Sequence, residues 1–583
     1  MLTTRPRLLI VTGNLSLLRA HYDPVIVALA AQGVDVSIRY YKETQLDPEE
    51  YAASLAAAGA DVLLRKMAGE KRNAADRLAL RLRDIGNTLR YTHPDYAGKT
   101  ILSERSLEKI EPGVKRWSRR IRRLPPSLAA VVARALAWVE AGLPAGRRAR
   151  EVLAEEQPDA VAVVPVIRLP RLVDFLKAGV ERGIATAVWV QSWDNLTNKG
   201  LLHFVPDRVF VWNTSQEQEL ARYHGISADH VCMTGAQTFD HWFEEVQVRE
   251  RAAFCAELGV SPDEPIILYL ASSRQIAPDE PPFFERWLRA VRSSDDPVLH
   301  TATILVRPHP TLVDAWHSHG FDREPGVAVS PSLLESQMNS REYRERYRAE
   351  LHHASLAVGI NTSGLIDAAI FGKPACTVEL PELFHGQRGT VHFELLAREE
   401  SGLLRVAPGL EEHVAELSAL VRRDTYAADE RSRAFVRGFV RPNGLDISPT
   451  KVFAREMLAL LRSPSHVSAT TVLQRVTGRL VARGAFVVGA PLEERPFGSI
   501  ASEAAAVVRL TGRRGRRSVG RRIRKGMLRA ETSTRAAARV LVPEPFRRTV
   551  RQEPAGGIGR RDLAEGRQLP RTPEGSRSPA GPR

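Results

Sequence analysis

The sequence predicts an α/β protein built from two parallel-sheet domains that face one another across a cleft. Three observations predict it. Short runs rich in Val, Ile and Leu alternate with helical segments along most of the chain. The alternation lapses between about 66 and 150, and a second series begins near 265. The connections between runs are short, as expected for parallel strands linked by right-handed helical crossovers.

The elements follow in order. "RLLIVTG" (7–13) is a compact apolar strand, and "AHYDPVIVALAAQG" (20–33) is a helix closed by Gly33. "VDVSIRY" (34–40) is the second strand, "DPEEYAASLAAAG" (47–59) a helix capped by Asp47, and "DVLLR" (61–65) the third strand. The stretch 66–150 is rich in Arg and Lys, includes "KRWSRRIRR" (115–123), and reads as a helical insertion. The pattern resumes with "DAVAVVPVI" (159–167), a helix at 169–182, "IATAVWV" (184–190) and "RVFVWN" (208–213). "TSQEQELARYHG" (214–225) carries a capping-box start, Thr214 or Ser215 with Glu217 or Gln218, and "DHVCMTG" (229–235) ends the first series. In the second series "PIILYLAS" (265–272), "TATILVR" (301–307), "GVAVSPS" (326–332), "ASLAVGI" (354–360) and "KPACTVE" (373–379) are strands. The expected domains are therefore 1–245, with its basic insertion, and 246–463, followed by a basic tail over 464–583. That tail is expected to be partly helical and then disordered, because beyond 550 it is rich in Pro, Gly, Arg and Ser with few aromatics.

Composition narrows the class. Of the 583 residues, 43% are apolar and 26% charged, which suits a soluble globular protein. No run approaches the length of a membrane span. The best candidate, 127–143, carries Arg134 and Glu140 and reads as a helix packed on protein or lying on a surface. The opening "MLTTRPRLLIVTG" reaches a β-like run too early for a signal peptide. Cys232, Cys255 and Cys376 show no metal-ligand or paired spacing, so a reducing cytoplasmic setting is expected and no metal site is foreseen. The net charge is +15, but residues 512–583 hold 20 Arg and Lys against 6 Asp and Glu, so +14 of it belongs to the tail. A basic nucleic-acid-binding reading is disfavoured, since Phe546 is the lone aromatic among the tail's arginines and base stacking has no platform.

Open parallel sheets bind ligands where strands end, so the strand exits carry the candidates. "VRPHP" (306–310) presents Arg307 and His309 on a loop stiffened by two prolines, where a phosphate can be met at low ordering cost. "GINTSGLIDAAIFGKP" (359–374) places Asn361, Thr362, Ser363 and Gly364 in a small polar turn at a helix start, with Asp367 one turn on. "LASSRQ" (270–275) adds Ser272, Ser273 and Arg274. In the first domain "TGNLSLLRAHYDP" (12–24) offers Asn14, Arg19, His21 and Asp23, without a dinucleotide GxGxxG. "VQSWDNLTNKG" (190–200) offers Trp193, Asp194, Asn195 and Lys199, an aromatic and polar set suited to sugar recognition. A proton acceptor is sought among Asp194, His21 and Asp23, with Asp194 favoured.

With these residues placed, the layout over 1–463 resembles the GT-B superfamily of glycosyltransferases, which have two Rossmann-like domains and a cleft between them. "RPHP" is similar to the His-Pro element of capsule-type glycosyltransferases and polyol-phosphate transferases, and "NTSGLIDAAIFGKP" resembles a segment shared with the UDP-N-acetylglucosamine 2-epimerases. The resemblance implies a nucleotide-sugar donor as co-substrate, no resident cofactor and no required metal. It also implies that His309 stabilises donor phosphate with Arg307 nearby, that Ser363 and Gly364 meet the diphosphate, and that Asp367 binds ribose. It implies transfer to a glycan or lipid-linked acceptor in surface polysaccharide synthesis. The alternatives within the fold are a polyol-phosphate transferase or a 2-epimerase. The basic insertion and a tail helix around 516–529 are further expected to attract an anionic membrane surface.

Overall fold

A computed structural model of the chain describes residues 5–43, 46–67, 73–108, 110, 112–164, 170–330, 341–467 and a few positions between 474 and 481. The tail helix expected at 516–529 and the disorder expected beyond 550 lie outside the described residues.

The first sheet has seven parallel strands: β1 (Arg7–Asn14), β2 (Asp35–Lys42), β3 (Val62–Lys66), β4 (Ala160–Val164), β5 (Ala185–Trp189), β6 (Arg208–Val211) and β7 (Val231–Met233). Their spatial order is 3-2-1-4-5-6-7. The second sheet has six: β8 (Ile266–Leu270), β9 (Thr303–Arg307), β10 (Val327–Val329), β11 (Leu356–Val358), β12 (Ala375–Val378) and β13 (Leu404–Ala407), in the order 10-9-8-11-12-13. Both orders reverse direction beside their first strand, so each sheet is doubly wound with helices on both faces. The α/β class with two Rossmann-like parallel sheets is thus what the chain adopts.

Alternating side chains explain the layering. Leu8 and Ile10 of β1 enter one core with Tyr22, Ile38 and Trp189, whereas Leu9 and Val11 enter the opposite core with Val161, Val163 and Leu176. In the second sheet Ile266, Leu268 and Leu270 face one core and Ile267 and Tyr269 the other. Each such fully buried aliphatic contributes about 1.5–3 kcal/mol of transfer free energy.

Local signals account for several element ends. Asp47 accepts from the Glu49 and Glu50 amides at 2.8 and 3.0 Å, as expected of its cap. The helix Thr214–Glu219 starts differently from the expectation. Asn213, immediately before Thr214, is the cap, its side chain accepting from the Gln216 amide at 3.1 Å. Its short amide already reaches the third helical N–H, which leaves the two hydroxyls inside the helix.

The insertion is helical, with Ala74–Leu89, Thr100–Glu108, Pro112–Ile121 and Pro126–Gly142 gathered around Ile85, Leu89, Leu107, Ile110, Val114, Ile121 and Ala129. A buried ion cluster bolts it to the first domain. Arg83 donates to Glu140 at 2.6 Å and to Asp174 at 2.8 Å, and the Lys177 ammonium lies 3.1 Å from Glu140. Burial opposes the Glu140 charge, but Arg83 and Lys177 bring its carboxyl down to about 2.

One domain boundary differs from the expectation. The helix Pro449–Leu461, assigned to the second domain by its position in sequence, packs instead on the first sheet. Phe453 stacks on Phe210 with ring centroids 4.5 Å apart and meets Trp189 edge-on at 5.0 Å. The chain therefore crosses between domains twice, and Asp240 on the outward crossing ties the two passages together. It accepts from Arg441 and from the Ser448 hydroxyl on the return crossing, and from the Thr450 amide, each at 2.8 Å. Gly235 is required where the crossings touch: its φ is +88°, and an added Cβ would lie 2.8 Å from Pro449 Cγ and 3.0 Å from the Val440 carbonyl oxygen.

Candidate functional site

A cavity of about 330 Å³ opens between the two sheets. Trp193, Asp194, Asn198 and Lys199 line it from the loop after β5, and Asn87, Tyr91 and Arg105 from the insertion. Ser273 after β8, His309 after β9, Asn361, Thr362 and Ser363 after β11, and His392 line it from the second domain. Three far-apart strand exits of the second sheet thus converge on one cavity and face the loop after β5.

The first-domain wall is held by the insertion. The buried Arg90 guanidinium donates to the carbonyls of Leu196, Thr197 and Gly200 at 3.0, 2.9 and 2.7 Å, and the Tyr96 hydroxyl adds a bond to Thr197 at 3.0 Å. One buried guanidinium bonded to three carbonyls of the same loop fixes its backbone. The insertion also reaches across the cleft: Lys99 donates to the Arg388 and Thr390 carbonyls at 2.6 and 3.2 Å, and Arg105 to the Gln275 carbonyl.

Electrostatics distinguish the groups in the cavity. Burial opposes ionisation of Asp194, but the Lys199 ammonium at 3.1 Å, with His392 and Ser192 close by, holds its carboxyl well below the usual range. It also accepts from Asn195 at 3.1 Å. A carboxylate so stabilised accepts protons poorly and serves better to hold Lys199 in place. His392 is different. Its Nδ1 lies 2.7 Å from the Asn198 amide nitrogen, its ring meets Trp193 edge-on at 4.9 Å, and burial pulls its pKa down to about 4. At neutral pH it is an uncharged imidazole beside the cavity. Burial likewise lowers His309. The Asn361 amide donates to the Gly386 carbonyl at 2.6 Å, which leaves its Oδ1 buried without a partner, as is Asn198 Oδ1. Two unpaired amide oxygens, one on each wall, mark the cavity as a place for a polar ligand.

Not every predicted residue reaches this cavity. Arg307 turns away: it pairs with Glu350 at 2.5 Å and lies over the Tyr347 ring at 3.8 Å. Asp367 is enclosed, accepting from Trp242 Nε1 at 2.7 Å and from the Tyr347 hydroxyl at 3.1 Å, so the ribose contact expected of it is not available in this conformation. Gly364 packs against Leu270, where an added Cβ would stand 3.3 Å from a Leu270 methyl. Ser272 is buried, its amide bound to Glu280 at 2.7 Å, and Arg274 is exposed. Asn195 is buried beneath the loop. The β1 exit lies apart altogether. Asn14 caps the helix Leu15–Ala31, so Arg19, His21 and Asp23 sit a turn or more inside it. Arg19 lies over the Tyr51 ring at 5.8 Å, His21 meets Thr238 at 3.1 Å, and Asp23 accepts from Tyr51 at 2.5 Å.

The enclosure of Asp367 has a measurable signature. Burial pushes its pKa up to about 7. Its folded value lies above its unfolded one, so the native state holds a proton that the unfolded chain releases. Stability contributed by protonated Asp367 is then present below about pH 4 and is lost as pH rises towards 7. Asp367→Asn is expected to flatten the fall in melting temperature between pH 5 and 7.5 relative to wild type; parallel curves would show that the carboxyl is ionised throughout.

His392, Asn198, Asn87, Tyr91 and Arg105 were not singled out from the sequence. His392 follows a glycine-containing turn rather than a strand, and its pairing with Asn198 spans 194 positions. The insertion residues lie in a segment whose only local signal is its charge.

No protein-family profile matches the chain, and no curated protein does. Solved structures similar to it include a UDP-GlcNAc 2-epimerase from Methanocaldococcus jannaschii, at 11% identity and a TM-score of 0.41, over 74% of this chain and 98% of that one. A glycosyltransferase from Rickettsia africae is similar at 10% identity and 0.42, over 79% and 98%. The lipopolysaccharide outer core galactosyltransferase WaaB is similar at 10% identity and 0.39, over 78% and 99%.

Proposed function

We propose that the chain is a glycosyltransferase that moves a sugar from a nucleotide-sugar donor to a glycan or lipid-linked acceptor in surface polysaccharide synthesis. The observation that carries this reading is the cavity itself: His309, Ser273 and the turn 361–363 on one wall, Trp193 and Lys199 on the other. In this reading His309, the Thr362 and Ser363 hydroxyls and Lys199 meet the charge that develops on the leaving nucleoside diphosphate. Preorganised donors of this kind are each worth about 3–4 kcal/mol in a transition state. Trp193 offers a face for a sugar ring, and the neutral His392 lines the cavity beside it. Asp194 orients Lys199.

The test is a thermal-shift panel of UDP, GDP, CMP, CDP and TDP on the full chain. One nucleotide at a hundred times its Kd should add about 2.7 kcal/mol of stability, and the others little. Silence from all five would overturn the reading. With the donor class fixed, labelled sugar should appear on an acceptor; formation of the 2-epimer without acceptor would place the chain among epimerases instead.

A further inference from the structure

The helix Pro126–Gly142 has an unusual outer face. Leu128, Val131 and Trp138 are 47, 58 and 38% exposed, three of the ten large apolar side chains exposed among the described residues. With the exposed Ala135 they follow the three- and four-residue spacing of a single helix face. The opposite face is committed elsewhere: Ala129 and Glu140 are buried, with Val132, Ala133 and Leu136 packed on the insertion core. Just upstream, Arg116, Arg119, Arg120 and Arg123 are all exposed and form no ion pair among the described residues. Arg123 lies in the turn that joins the two helices, and Leu128 in the first turn of the second.

We propose that this surface docks the protein on the headgroup region of an anionic bilayer, with the helix Pro126–Gly142 lying in the membrane plane. Leu128, Val131 and Trp138 would enter the acyl boundary while the four arginines meet lipid phosphates. A tryptophan on an aliphatic stripe that directly follows a run of exposed arginines suits an interface, where the ring is half in water. Charge complementarity selects the occupant: four exposed arginines that form no ion pair among the described residues, next in sequence to an apolar stripe, match a surface that is both negative and greasy, and a neutral protein groove would leave them unmatched. Spanning is a different matter. No single described helix is long and apolar enough to cross a membrane; the bent pair Pro126–Gly142 and Arg147–Glu156 passes by composition, but Glu140 within it is locked into the Arg83 and Lys177 ion cluster. The helix Thr100–Glu108, which shares the insertion core with this helix through Leu107 and Ala129, supplies Leu102, Arg105 and Ser106 to the cavity, so the docking face and part of the cavity wall belong to one insertion.

The experiment is flotation of the full chain with phosphatidylcholine vesicles containing no or 30 mole per cent phosphatidylglycerol, at about 0.1 M salt. The wild type should float with the anionic vesicles only. Two variants are compared, Leu128→Ser/Val131→Ser/Trp138→Ser and Arg116→Gln/Arg119→Gln/Arg120→Gln/Arg123→Gln, all at exposed positions and each checked for an unchanged melting temperature. Each should lower the vesicle-bound fraction about tenfold or more, since a single basic residue near such a surface accounts for roughly fivefold in affinity. Flotation of either variant like wild type would overturn the proposal and leave the basic tail as the anchor. Failure of the wild type to float would overturn it as well. No substrate enters the assay, so either result leaves the sugar-transfer reading untouched.

Discussion

His309→Ala is expected to lower turnover by about 100-fold or more while leaving the melting temperature nearly unchanged. The side chain lies half-buried on the loop between Pro308 and Pro310, where it lines the cavity without belonging to either core. Removing one preorganised donor from a developing anion costs on the order of 3–4 kcal/mol in the transition state, and far less in the ground state. Burial lowers the pKa of the imidazole, so in the proposed reaction it would act as an N–H donor rather than as a cation. The measurement is kcat for sugar transfer with the donor identified by thermal shift. A variant with wild-type kcat would remove His309 from the reaction.

The second large effect concerns stability. Glu140→Ala takes a carboxylate away from Arg83, which is fully buried and keeps Asp174, and from Lys177, which is 3% exposed and keeps the backbone carbonyl of residue 140. Breaking a buried pair in this way costs about 3–5 kcal/mol. The loss should be local, because Glu140 joins the insertion to the helix Val173–Glu181. Trypsin should cut the arginine-rich insertion over 74–142 well before the rest, and the first thermal transition should fall. The pH dependence has the same origin. The Glu140 carboxyl is depressed from 4.5 to about 2 in the folded protein, so its contribution is complete above about pH 4.5 and disappears as pH falls through 2. An unchanged tryptic pattern in the variant would show that the insertion is held by other contacts.

Much of this was legible in the sequence, for reasons that particular residues illustrate. β-Branched and aliphatic runs between helices mark twelve of the thirteen strands; β13 escaped notice because its four residues carry a half-exposed Arg405 and Val406 between two buried ends. Strand exits led to Trp193, Asp194, Lys199, Ser273, His309 and Asn361–Ser363, since the ends of parallel strands share one edge. The same logic failed at Arg307 and Asp367. Their partners Glu350, Tyr347 and Trp242 lie on distant helical segments and take up the charge before it can face a ligand. The β1 exit failed for a simpler reason: Asn14 starts the helix immediately, so no loop remains to present Arg19, His21 or Asp23. His392 and Arg90 act through pairings that only the folded chain creates.

The double passage of the backbone between the halves carries a mechanical corollary. Two strands of chain joined at Asp240 behave as a pinned joint: one half can swing about that carboxylate, but it cannot slide along the other without tearing three hydrogen bonds. A swing that opened the cleft would have to release the bonds from Lys99 and Arg105 at its far side, while those at Asp240 could stay closed.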